Sequence, residues 1–305
     1  MTDDATDPDD TETESSTAPD ANADTGSIGG TGIATVDGCR IAYRRAGTDG
    51  PAVVLLHGGG IDDSALSWRH TIDRLGDEYQ VYAPDWPGYG DSVGDVTHST
   101  ESYVSLLEGF LEAIDVDDAT LVGLSMGGAA ALGYALENAS RVNRLALVGS
   151  YGLGEEIPVG TLWKTTAHFP GANALGWNAL GTSRAATRMG LGNVVADPND
   201  LSREFVEGVR KRASQPGAGS AFEAFQRNEL TASGTALTNF ADDLEALSVP
   251  TLLVHGSEDP LFPARWSKRA AKRIPQADLE VVSECGHWVP RERPETFNDV
   301  LCSFL

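Results

Sequence analysis

The sequence predicts an α/β fold, a mostly parallel central sheet flanked by helices, with a helical cap inserted after the sixth strand. Three observations carry this. Short β-branched or apolar runs alternate with helical patterns from Ile33 onward, the alternation lapses between residues 152 and 240, and it resumes after Val249-Pro250. Alternating strand and helix signals imply a parallel sheet whose crossovers lie on both faces. On this reading residues 1–27 form an acidic tail, residues 28–151 and 241–305 the core, and residues 152–240 the cap.

The first two strands are predicted as a hairpin, Ile33 to Val36 and Arg40 to Arg44, around Asp37-Gly38, a dipeptide that accepts the positive φ of a tight turn. Ala52 to Leu56, Gln80 to Ala83, Ala119 to Gly123 and Val142 to Gly149 then read as buried strands, because each is a short, nearly continuous apolar run. Thr251 to His255 and Leu279 to Val282 complete the sheet. Phe297, Val300, Leu301 and Phe304 recur at helical spacing, so a final amphipathic helix is expected against the sheet. In the cap no strand is predicted, and Trp163, Phe169, Trp177, Met189, Phe205, Phe222 and Phe225 are the candidates for its apolar inner surface.

With 305 residues, 41% of them hydrophobic, the chain can bury a full core. A net charge of −23 opposes nucleic acid and anionic membrane surfaces, both of which need a basic footprint. No apolar run is long enough to span a bilayer, and no charged-then-apolar leader opens the chain, so the expected location is the cytoplasm. The segment before Gly26 has abundant carboxylates and no Lys or Arg, a composition that cannot bury enough apolar surface to order itself. Beyond it the chain remains strongly acidic, and its cations are mostly Arg. This pattern suggests a halophilic protein, in which molar salt screens the self-repulsion of so many carboxylates. The melting temperature is accordingly expected to rise as KCl is increased to molar concentration; a flat melting series would discard this reading. Cys39, Cys285 and Cys302 have no metal-ligand spacing and are expected to be buried or partly buried thiols.

The chemistry centres on Gly123-Leu124-Ser125-Met126-Gly127, which directly follows a predicted strand and directly precedes an Ala-rich helix. A serine on such a strand-to-helix turn is held in a strained conformation with its hydroxyl presented above the sheet edge. There the Met126 N–H can donate to a developing oxyanion. A serine hydroxyl needs a general base, and the base needs an orienting carboxylate. His287, in Cys285-Gly286-His287-Trp288, follows the last predicted strand, and Asp259, in Glu258-Asp259-Pro260, follows the one before it. Both therefore fall at the carboxyl edge of the sheet, where open α/β sheets gather ligands.

In His57-Gly58-Gly59-Gly60 the imidazole is read as structural, while Gly59 or Gly60 can offer the second oxyanion N–H. Asp85 is read as a residue that ties down backbone, and His70, His98, His168 and His255 have no partner pattern. No Walker loop, Rossmann fingerprint or His-Glu-x-x-His occurs, so neither a cofactor nor a metal is expected. The expected partner is a small-molecule substrate, and the sequence leaves the oligomeric state open, a homodimer included.

The order of these motifs from His57 to Trp288 resembles the α/β-hydrolase superfamily across nearly all of the chain after the tail. His57-Gly58-Gly59-Gly60, Gly149-Ser150-Tyr151-Gly152-Leu153-Gly154 and Cys285-Gly286-His287-Trp288 look like the meta-cleavage-product hydrolases, which split carbon-carbon bonds of ring-fission products, and are shared with other esterases. That resemblance implies a cap arginine that holds the substrate's acid group. Arg210 or Arg212 lies near the expected position without matching it, and Trp288 is a further candidate substrate contact. The leading expectation is hydrolysis of a small carboxylic ester or related acyl bond. Carbon-carbon cleavage, haloperoxidase-like perhydrolysis and a ligand receptor built on the same triad are the alternatives.

Overall fold

The computed structural model describes residues 29–169 and 172–305. The predicted acidic tail, residues 1–27, lies outside the described residues. β1 (Thr31–Val36) and β2 (Cys39–Ala46) form the predicted hairpin, and Asp37 and Gly38 both have positive φ, 49° and 81°. β3 (Ala52–Leu56), α1 (Ser64–Leu75), β4 (Gln80–Pro84), α2 (Thr100–Ala113), β5 (Ala119–Leu124), α3 (Met126–Glu137) and β6 (Val142–Val148) follow. Among the described residues five α-helices separate β6 from the next strand: α4 (Gly160–His168), α5 (Ala172–Gly181), α6 (Arg184–Leu191), α7 (Arg203–Ala213) and α8 (Ser220–Glu229). The chain then returns to the sheet through β7 (Thr251–Gly256), α9 (Arg265–Arg273), β8 (Ala277–Val282), α10 (Val289–Glu292) and α11 (Pro294–Phe304).

The eight strands lie in the order β1-β2-β4-β3-β5-β6-β7-β8. Only the β1–β2 and β2–β4 pairs are antiparallel, so the sheet is mostly parallel, as predicted. Both faces of its central strands are covered, which is why those strands read as continuous apolar runs rather than alternating ones. Val54, Leu56, Leu121, Leu145 and Leu147 pack into the cluster that includes α2, α3 and α9. Their neighbours Val53, Leu55, Val122, Ala146 and Val148 point the other way, into the cluster of α1, α10 and α11. In α11, Phe297 and Leu301 are fully buried, with Val300 and Phe304 packed beside them.

The five helices form the cap expected after the sixth strand. Its inner surface departs from expectation at two positions. Trp163, Trp177 and Phe222 line the cavity beneath the cap, and Phe205 and Phe225 are buried. Phe169 and Met189 are instead 69% and 77% exposed. Short cap helices lack a sheet to fix their rotational phase, so an aromatic or Met alone does not reveal which side faces inward. Among the described residues no helix is long and apolar enough to cross a membrane.

Candidate active site

The chain makes its sharpest turn between β5 and α3. Ser125 sits there with φ 54° and ψ −115°, a strained region for any residue with a Cβ. The turn closes only because its neighbours are bare backbone. A Cβ at Gly123 would run into the carbonyl oxygen of Gly127, and one at Gly127 into that of Leu56. Ser125 thereby faces a cavity of 450 Å³ that is also lined by Gly58, Gly59, Gly60, His287 and Trp288. The Met126 N–H opens α3, and neither it nor the N–H groups of Gly59 and Gly60 has a hydrogen-bond partner among the described residues. Gly58 differs, since its N–H is spent on Asp62 Oδ2 at 2.9 Å.

His287 and Asp259 meet although 28 residues separate them, with Nδ1 2.7 Å from Oδ2. The other carboxylate oxygen of Asp259 accepts the N–H groups of Leu261 and Phe262 at 2.8 and 2.9 Å. Burial opposes the charge on Asp259, yet His287 and His255 beside it hold its carboxyl well below the usual carboxylate range. No hydrogen bond joins Ser125 to His287 among the described residues, although both face the one cavity. In unliganded sites such bonds commonly tighten only when substrate binds.

Four residues outside the sequence prediction complete the constellation. His255, at the end of β7, lies fully buried with Nε2 3.2 Å from Asp259 Oδ2 and 3.0 Å from the Phe262 carbonyl oxygen, and Nδ1 2.7 Å from Ser267 Oγ. The carboxylate thus has four donors about it when His255 carries its proton on Nε2. Glu292 is the second. Its carboxylate accepts N–H groups from Gly286 at 2.8 Å and Trp288 at 2.9 Å, the two residues flanking His287, and from Ala196 at 2.8 Å in the cap. The His287 N–H itself donates to the Val194 carbonyl oxygen at 2.8 Å, so the histidine loop is stitched to the cap. Burial pushes the Glu292 carboxyl up, against the pull of its three donors.

Asp62 and Ser67 are the other two. Trp288 Nε1 donates to Ser67 Oγ at 2.8 Å, and Ser67 reaches the Asp62 carboxylate at 2.7 and 2.8 Å. Asp62 in turn binds the Gly58 N–H, so one buried chain links the residue after His287 to the glycine loop. Burial drives the Asp62 carboxyl well above its ordinary value. No partner pattern in the sequence marks any of the four; His255 alone stands near a candidate residue, four positions before Asp259 at a strand end.

The remaining expectations divide. His57 Nε2 accepts the Trp86 N–H at 3.1 Å and its Nδ1 donates to the Gly58 carbonyl oxygen at 2.8 Å, and burial lowers its pKa to about 4, so the ring is a neutral brace. Asp85 accepts the backbone N–H groups of Ser64 and Asp91, tying loop to helix as predicted. Cys39, Cys285 and Cys302 carry free thiols.

Arg210, expected to contact substrate, does not reach the cavity. Its guanidinium pairs with Glu207 at 2.6 and 2.9 Å, while Arg212 pairs with Asp63. The physical reason is helical phase: each residue turns the helix by about 100°, and it is Val209, one position earlier on α7, that lines the cavity. Among the described residues no Lys or Arg lines it, and the residues outside that set contain neither.

Comparison with known proteins agrees with this architecture. The profile of the alpha/beta hydrolase family matches residues 53–300. A 2-hydroxy-6-oxo-2,4-heptadienoate hydrolase of Pseudomonas putida is 30% identical over 261 residues, covering 84% of this chain and 89% of its own. A 2-hydroxymuconate semialdehyde hydrolase of a Pseudomonas species is 31% identical, with 83% and 86% covered. The solved structure of a meta-cleavage product hydrolase from Pseudomonas fluorescens superposes with a TM-score of 0.74 at 29% identity, covering 91% of this chain and 97% of that one. The sheet order, the serine turn and a family match across most of its length place the chain in the alpha/beta hydrolase family.

Proposed function

We propose that the chain is a serine hydrolase acting on an uncharged, largely apolar carboxylic ester or related acyl compound. Ser125 Oγ attacks the carbonyl carbon, and His287 takes the hydroxyl proton and returns it to the departing alcohol. Asp259 keeps the Nδ1 proton in place and stabilises the imidazolium that forms. The oxyanion is received by the N–H groups of Met126 and of Gly59 or Gly60. Water then releases the acid by the same proton path.

The observation that carries this reading is the cavity itself. Nucleophile, relay and unspent N–H donors all open into one mainly apolar space that no cation lines. A buried carboxylate on the substrate would meet the Asp62 carboxyl and no countercharge, and an unpaired buried charge is costly.

The second reading is carbon-carbon bond hydrolysis of ring-fission dienones, favoured by the names of the relatives at 30 and 31% identity. The same triad serves it, but its substrates carry an acid group. The two are separated by assaying the purified protein in molar KCl against p-nitrophenyl esters of graded length and against one coloured ring-fission dienoate. The ester reading expects kcat/KM for the best ester to exceed that for the dienoate by at least about 10²; preference for the dienoate would replace it with the second reading.

A further inference from the structure

The cap wall of the cavity holds a polar feature that the proton relay does not use. Gln226, on α8, is only 4% exposed and lines the cavity. Its Oε1 accepts a hydrogen bond from Asn173 Nδ2 of α5 at 3.3 Å. Its Nε2 makes no hydrogen bond among the described residues. Around this amide the wall is aromatic: Trp163, Trp177 and Phe222 border the same space, with Trp163 and Phe222 edge to face at 5.6 Å.

A glutamine that served only to fill space would be out of place here, since leucine or methionine packs as well and leaves no donor unpaired in an apolar setting. A donor left open inside a ligand cavity instead discriminates, because substrates that supply an acceptor gain a bond and those that lack one leave the amide unsatisfied. The acceptor it suits is uncharged. The nearby arginines of α7 are spent on Glu207 and Asp63, so nothing on this wall would neutralise an anion.

We propose that Gln226, steadied by Asn173, is a specificity-determining residue that donates a hydrogen bond to an uncharged oxygen, such as a ketone or ether, on the substrate away from the carbonyl that is attacked. This rests on the ester reading above and narrows it to acyl compounds carrying a second neutral oxygen.

The test compares matched ester pairs on the purified full chain. In one pair p-nitrophenyl hexanoate is set against its analogue with a ketone near the acyl terminus; in the other, butyl acetate is set against its analogue with the ketone in the alcohol chain. Wild type is expected to favour the keto member of one pair by about tenfold in kcat/KM, the value of one neutral hydrogen bond. In Gln226→Met and Gln226→Leu that ratio is expected to fall to about one, mainly through KM, as befits loss of binding common to ground and transition states. Absence of any keto preference in wild type, or a ratio that survives both substitutions, overturns the proposal. Failure of the ester reading looks different: no ester of either pair is turned over by wild type, whereas failure of this proposal leaves ester turnover intact without a keto preference that depends on Gln226.

Discussion

Ser125→Ala is expected to lower kcat for a short p-nitrophenyl ester by roughly six orders of magnitude, the scale seen when a triad nucleophile is removed from a site that keeps its other parts. Among the described residues the Ser125 hydroxyl makes no hydrogen bond, so its loss leaves none of them unpaired. Alanine retains the Cβ, and the strained turn at φ 54° is therefore neither relieved nor worsened. The melting temperature should stay within a few degrees of wild type, and the variant should still bind substrate. Steady-state rates, a thermal melt and equilibrium binding of the unreacted ester to the variant check the three parts together. Undiminished turnover in a clean preparation of the variant would remove Ser125 from the mechanism, and a collapse of the melt would show that the turn has a structural duty beyond chemistry.

Much of the fold was legible because two-sided burial writes itself plainly into a strand. β3, β5 and β7 each lie between two apolar clusters, so both residue parities are apolar and the run is unbroken. The shared placement of the three proposed relay residues was legible for a related reason. Ser125, Asp259 and His287 each stand just past the carboxyl end of a strand, and parallel strands bring those ends to one rim. The turn glycines mattered as much as the reactive types, because only backbone without Cβ atoms lets β5 and α3 approach at Gly123 and Gly127.

The supporting residues were hidden for reasons that differ in each case. Glu292 stands in the charged run Arg291-Glu292-Arg293, which reads as a solvated surface. Its carboxylate instead folds back under the histidine loop, a contact that depends on where α10 packs. Asp62 sits in a glycine-rich loop beside Asp63, and no local pattern distinguishes the one that braces Gly58 from the one that caps α1. In the cap, α7 carries Val209, Arg210 and Arg212 within four positions, and a turn of about 100° per residue decides which faces the substrate. Sequence pattern alone placed the arginine near the site, whereas packing against the core assigned that face to the valine.

Asp259→Asn is expected to lower kcat by about 10⁴, through the wrong imidazole tautomer rather than through lost contact. The geometry dictates which way the new amide turns. Oδ1 accepts the Leu261 and Phe262 N–H groups, so the carboxamide oxygen must take that position and the NH₂ must take the place of Oδ2. There it faces His287 Nδ1, 2.7 Å away, and donates to it. The ring then carries its proton on Nε2, and it cannot accept one from Ser125. His255 suffers as well, because its Nε2 now opposes a donor and must share only the Phe262 carbonyl oxygen or change tautomer against Ser267. A frustrated buried donor costs about 1–3 kcal/mol, so a lower melting temperature is expected beside the rate loss. Sign and pH range follow from the depressed carboxyl of Asp259: its contribution to stability is complete above the unfolded carboxylate value of about 4 and is lost only as pH falls through the lower folded one. The difference in melting temperature between wild type and variant should therefore shrink as pH falls below about 4, and the kcat deficit is to be read near neutral pH. A variant that keeps a tenth or more of wild-type kcat would show that Asp259 does not govern the tautomer of His287, and the relay would have to be sought through another carboxylate.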